Sequence, residues 1–287
     1  MKEISELSDL SILIRQCEDL DELNACVRLQ SEVWGYEDKD LVPRRALVVA
    51  RDIGGQVIGA FDTAHPGTNR NGEADNLVGF AVALPGIAPA GAHLRPYLHS
   101  HMLAVQTRYR NRGIGRRLKL AQREDALARG ITRMEWTFDP LEIKNSFLNI
   151  VKLGAVVRRY TPNLYGVSSS RLQGILPSDR LHAEWWLESR RVHAALAGEP
   201  SSLPAIEVRI LIPHTIYRWR QTPGERELAL RVQQENRIQF QQSFADGLAV
   251  FGFGIDTEGN GIFELGRWTE LPGLHHLDTT TGMRRYA

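Results

Sequence analysis

Cysteine is scarce in this 287-residue chain: there are two, Cys17 and Cys26, with neither metal-ligand nor redox spacing. That excludes a disulfide framework, and two idle thiols in a reducing compartment are expected. Long apolar runs are missing as well. No stretch approaches the roughly 20 apolar residues of a membrane span, and the N-terminus, MKEISELSDL, is acidic and lacks the apolar core of a signal peptide. A soluble, cytoplasmic protein with no membrane partner and no metal site is the expectation. Charge of one sign is not in excess either. The chain has 35 Lys and Arg against 34 Asp and Glu, a net +1, so no global field draws it to nucleic acid. An alternation of aromatic and basic residues is also absent, which argues against a nucleic-acid partner. Lysine occurs only at Lys2, Lys39, Lys119, Lys144 and Lys152, and the surplus of arginine reads as compositional bias.

What is present is an ordinary globular composition, 43% hydrophobic and 24% charged, in a chain long enough to bury a core. Apolar spacing and capping signals predict a strand over 11–17, a helix over 19–35 and a helix over 42–55. Strands follow over 56–62, 76–87 and 97–106, the first two joined by a polar Gly/Asn-rich connection. A helix from about 114 to 129 has Ile114, Leu118, Ala121 and Ala128 along one stripe. A strand over 131–139 and a helix over 143–157, breaking at Gly154, come next. Strands over 158–166 and 182–189 are separated by a Ser/Gly/Pro-rich loop.

The small residues and two prolines of AALAGEPSSLPA (194–205) suggest a linker between a domain of residues 1–193 and an extension over 206–287. That extension reads as a strand (IEVRILIP), a helix of about 20 residues and a hairpin across TEGN, with LHHLDTTTGMRRYA as a loose tail. Extending the sheet, covering an acceptor cleft or forming a homodimer contact are the roles open to it.

One segment stands out. RNRGIGRR (110–117) places Gly113 and Gly115 among four arginines, between a strand and a helix. The first amides of a helix lack internal partners and favour an anion, and glycine lets a backbone approach a ligand closely. The lysine of a Walker loop is missing, and Leu118 stands where a dinucleotide fingerprint needs its third glycine.

Arg110, Gly113 and Gly115 do fit [Q/R]-x-x-G-x-[G/A], and HMLAVQ upstream fits an x-L-x-V-x strand. In these motifs, and in element order over about residues 11–190, the chain resembles the GNAT N-acetyltransferase family. The resemblance implies an α/β (α+β) fold, with a mixed, mostly antiparallel sheet flanked by helices, to which the C-terminal strand–helix–hairpin segment is added. It also implies acetyl-CoA, or another acyl-CoA, as donor. Amides over Asn111, Arg112, Gly113, Ile114, Gly115 and Arg116 would cradle the diphosphate, with charge from Arg110, Arg112, Arg116 and Arg117. Leu103, Ala104 and Val105 would present backbone groups to the pantetheine arm, and an amide of Leu103 or Val105 would polarise the thioester.

Acyl transfer to an amine also needs a proton acceptor and a stabiliser for the leaving thiolate. By the period of two, His99, His101, Leu103 and Val105 share one strand face. Histone-directed relatives carry a glutamate base six residues before the strand's valine, which lands on His99. His99 and His101 are thus candidate bases, or else packed strand residues. The family's tyrosine position is Ile150 here, a departure that leaves Tyr160 and Tyr165 as candidate acids. Asp139 could hold or deprotonate the amine, or cap the next helix. Asn145 and Asn149 could face the cofactor or bond locally, and Trp185 and Trp186 could be core or substrate wall.

The expected activity is acetyl transfer to a small-molecule amine by direct attack in a ternary complex. Transfer of succinyl or another acyl group to amino acids, and a catalytically silent coenzyme A-binding module, are the alternatives.

Overall fold

A computed structural model describes residues 11–37, 40–65, 76–90, 93–166, 176–200 and 204–268. Its strands are β1 (Ile12–Gln16), β2 (Gln56–Asp62), β3 (Leu77–Ala90), β4 (His93–Val105), β5 (Arg133–Phe138), β6 (Val156–Thr161), β7 (Arg180–Trp186), β8 (Val208–Ile212), β9 (Leu248–Ile255) and β10 (Gly261–Arg267). Its helices are α1 (Leu20–Trp34), α2 (Arg44–Asp52), α3 (Ile114–Ala128), α4 (Ile143–Phe147), α5 (Arg190–Ala197), α6 (Ile216–Gln221) and α7 (Arg226–Ala245). The ten strands form one mostly antiparallel sheet in the order β1-β2-β3-β4-β5-β7-β6-β9-β10-β8. The C-terminal segment therefore extends the sheet beyond β6. No helix among the described residues is long and apolar enough to cross a membrane.

Alternation decides which helix lies on which face. Val57 and Phe61 of β2 pack with Leu23, Cys26 and Leu29 of α1 and Leu47 and Ala50 of α2. Ile58 and Ala60, pointing the other way, pack with Ile114 and Leu118 of α3. Local chemistry bounds α1 at both ends. Asp19 caps α1 by accepting the Glu22 amide at 2.8 Å, and Gly35 ends it in the left-handed region.

Several boundaries differ from expectation. β3 and β4 run on through Pro85, Pro89 and Pro96. Beyond Ala83, β3 no longer pairs with β2, and before Leu98, β4 does not pair with β5. The donors that proline lacks are not needed there. β6 ends at Thr161 because Pro162 follows and the chain turns through Asn163 (φ 44°). β7 ends at Trp186 because Ser189 already caps α5. The helix begun by α4 passes into a single wide turn over Leu148–Lys152 and stops at Gly154 (φ 74°). α5 (Arg190–Ala197) runs over residues 194–197 of the stretch read as linker, 194–205, and the short α6 carries no stripe long enough to read. The 269–287 tail, residues 66–75 of the polar connection and the 167–175 loop lie outside the described residues.

Candidate active site

Strands β4 and β5 run parallel but pair only at Leu98–Met134 and His99–Glu135. Past those residues the two strands part, leaving a V-shaped gap. On its other side β4 stays zipped to β3, and the Gln106 amide donates to the Val78 carbonyl at 2.9 Å. In an antiparallel ladder the direction of the amides alternates. The NH and C=O of Leu103 and Val105 therefore face away from β3, into the gap. The Arg110 guanidinium reaches the Val105 carbonyl from that side at 3.2 Å.

A β-bulge in β4 sets the side chains. Met102 pairs with Val82 but Ser100 with Ala83, so His101 is an extra residue on β4. Ser100 points to α3, where its hydroxyl meets Lys119 and Gln122, and beyond the bulge Leu103 and Val105 also point to α3. His99 lies on the opposite face. The expectation that His99, Leu103 and Val105 share a face is corrected: the extra residue inverts the alternation between them.

At the mouth of the gap the chain turns through Asn111 (φ 62°) and Gly113 (φ 77°) into α3. The first backbone bond of the helix comes from the Arg117 amide to the Gly113 carbonyl. Among the described residues, the six amides from Asn111 to Arg116 have no hydrogen-bond partner. A Cβ on Gly113 would meet nothing within 4 Å, so the turn opens to space. The arginines divide their work. Arg116 ties α3 to the Leu196 carbonyl at 2.8 Å and Arg117 to that of Ile12 at 2.6 Å. Arg110 and Arg112 remain exposed at the turn, Arg112 over the Tyr109 ring.

On the face away from α3, β5, β7 and β6 present polar side chains. His182 lies opposite Thr137. Its Nδ1 meets the Arg159 guanidinium at 2.7 Å and its Nε2 the Thr161 hydroxyl at 2.8 Å. Burial, then Arg159 and His99, lower the His182 pKa to about 3. Burial, then His101, Lys119 and Arg159, lower that of His99 to about 4. Both rings are neutral at pH 7. His101 is exposed, its ring 6.3 Å from that of His99. Tyr165 is also exposed, with its hydroxyl 2.8 Å from that of Thr137 and its ring against Arg180.

Other candidates are committed elsewhere. The Tyr160 hydroxyl donates to the fully buried Asp179 at 2.5 Å, and burial together with that carboxylate raises its pKa. Arg237 of α7 closes on the same carboxylate with two bonds of 2.9 Å. Asp139 accepts the Leu141 amide at 2.8 Å and pairs with Arg220 of α6 at 2.7 Å. Asn149 is buried and bonds weakly to the exposed Asn145 at 3.4 Å. Ile150 is in the core, as is Trp185, whose indole donates to the Leu153 carbonyl at 2.6 Å. Trp186 faces the open side beneath Arg133.

Glu142 escaped the sequence reading. It pairs with Arg220 at 2.8 Å, yet burial and neighbouring Asp139 push its pKa up to about 7. Its partner lies 78 residues away, beyond any local signal.

Residues 18–145, from the start of α1 into α4, match the model of the acetyltransferase (GNAT) family. Over that stretch, a little under half of its length, the chain is similar to a GNAT acetyltransferase domain. No curated protein matches it. Among solved structures, NAA60 of Arabidopsis thaliana in complex with acetyl-CoA is 15% identical, with a TM-score of 0.46 over 61% of this chain and 99% of that one. The ribosomal-protein-S18-alanine N-acetyltransferase of Escherichia coli is 12% identical, with a TM-score of 0.44 over 62% of this chain and 95% of its own.

Proposed function

We propose that this protein is an acyl-CoA-dependent N-acyltransferase acting on the amine of a small molecule by direct attack in a ternary complex. The observation that carries the proposal is the β4–β5 gap, with six unpartnered amides at its mouth and the backbone of Leu103 and Val105 along its wall. These groups suit the donor: amides 111–116 would hold its diphosphate, and Leu103 and Val105 would pair with the amides of its pantetheine arm. When bound, acyl-CoA supplies an activated acyl carbon.

The protein's own residues then have three tasks. They orient the amine on the open face, take the proton it loses as the new C–N bond forms, and stabilise the thiolate as the C–S bond breaks. His99, neutral at pH 7, is the proton acceptor in this reading, with His101 beside it at the bulge. Tyr165 is the candidate acid whose hydroxyl remains within reach of solvent, whereas Tyr160 serves the Asp179 knot.

The buried Ile150 at the usual tyrosine position favours one second reading, a coenzyme A-binding module without turnover. Calorimetry with coenzyme A, combined with thiol release from acyl-CoA against a panel of amines, separates the two. Binding with turnover is expected. Binding without turnover on any acceptor supports the silent module, and no binding overturns both.

A further inference from the structure

Lys119 of α3 is 4% exposed. Its Nζ donates to the Ser100 hydroxyl at 2.7 Å and sits 3.7 Å from the centre of the Trp136 ring. Ser100 follows the last residue of β4 that pairs with β5, and Trp136 follows the last residue of β5 that pairs with β4. The amine therefore bridges the two strands where they begin to part, at the closed end of the gap. Gln122, one turn on, is fully buried, and its Oε1 accepts from Ser100 at 2.9 Å. Its Nε2 has no partner among the described residues.

Among the described residues, no carboxylate compensates this amine. Burial alone shifts its pKa, well below the ordinary lysine value. Burying an ionisable group without a counter-charge is costly, and an apolar side chain of the same length would pack there without the penalty. The amine of Lys119 and the unpartnered amide nitrogen of Gln122 flank the Ser100 hydroxyl, whose own proton goes to Gln122, and are two donors with no acid among the described residues to satisfy them. An acyl chain whose thioester lies against Leu103 and Val105 would extend toward them.

We propose that Lys119 receives a carboxylate at the far end of the transferred acyl chain, so that the preferred donor is the coenzyme A thioester of a dicarboxylic acid. The proposal rests on the acyltransferase reading above and names its donor class. The carboxylate would take its hydrogen bonds from Lys119 and the Gln122 amide nitrogen, with Ser100 holding both in place, and the amine would be held as ammonium by the charge it meets. Acetyl-CoA would leave these donors unused.

The test compares succinyl-CoA with butyryl-CoA, an acyl chain of equal length without the carboxylate, alongside glutaryl-CoA and acetyl-CoA. Thiol release against an amine panel gives kcat/KM, and calorimetry gives affinity where turnover is slow. The wild-type protein is expected to prefer succinyl- or glutaryl-CoA over butyryl-CoA by at least about tenfold, a usual effect of a buried charged hydrogen bond. In Lys119→Met that ratio should fall at least about tenfold, and in Ser100→Ala by less, with thermal melts reporting the fold of each. A wild-type ratio near one, or a Lys119→Met variant that lowers every donor equally, overturns the proposal. Absence of coenzyme A binding and of thiol release with any donor would instead sink the acyltransferase reading itself.

Discussion

The sheet is thinly laddered in two places, and they have opposite fates. Between β4 and β5 there are two register pairs, and between β6 and β9 there is one, Val157–Val250. At the second seam the protein fills the space itself. The buried Arg191 guanidinium of α5 donates to the carbonyls of Gly154, Ile150 and Phe251, and Phe240 of α7 stacks on Tyr160. At the first, among the described residues, the amides of 111–116 stay unpartnered, and on the gap side of Leu103 and Val105 no strand pairs; only the Arg110 guanidinium reaches the Val105 carbonyl. A weak ladder marks a site only where the chain leaves its polar groups unsatisfied, because buried donors and acceptors are otherwise paired.

Breaking the sealed seam should have the largest effect. Arg191→Ala strips three buried carbonyls of a donor, each worth about 1–3 kcal/mol. A melting temperature lower by on the order of 10 °C is expected, read by calorimetric melting, with coenzyme A affinity unchanged in the protein that remains folded.

A smaller and opposite signature is expected at the gap. Gly113→Val forces a branched side chain into the left-handed region, at about 1–2 kcal/mol. It also crowds the open amides. Coenzyme A affinity should fall about tenfold by calorimetry, with a melting temperature only a few degrees lower.

The smallest effect is in pH. The unfolded chain protonates His99 and His182 near pH 6.5, whereas the folded protein does so near 4 and 3. Between those values the unfolded state binds more protons, so these groups make stability fall as pH drops from about 6.5 toward 4. Glu142, raised to about 7, acts in the other direction: stability falls as pH rises from about 4.5 to 7. His99→Gln should flatten the acid-side slope in denaturant titrations, and Glu142→Gln the slope nearer neutrality. If His99 is the base, the wild-type pH–rate profile should show no inflection near 6.5 from it. Loss of that group's limb in His99→Gln checks the assignment, and an unchanged profile rejects it.

Much of this contrast was legible in the sequence, unevenly. Gly113 and Gly115 between a strand and a helix announce an open helix start because glycine and helix-start geometry are local. β2, α3 and the β9–β10 hairpin follow from period and caps for the same reason. The bulge was not legible: His101 becomes the extra residue through its pairing with β3, and nothing in YLHSHMLAV marks it. Ion pairs between residues far apart in the chain, Asp139 with Arg220 and Asp179 with Arg237, were equally hidden. They decide why two candidate catalytic groups are occupied, and only the folded chain brings them together.

Amide hydrogen exchange with and without coenzyme A measures the difference between the two seams most directly. The account predicts strong new protection over residues 100–117 and no change around Val157 and Val250. Unaltered exchange over 100–117 despite binding, or protection centred on the β6–β9 seam, would contradict it.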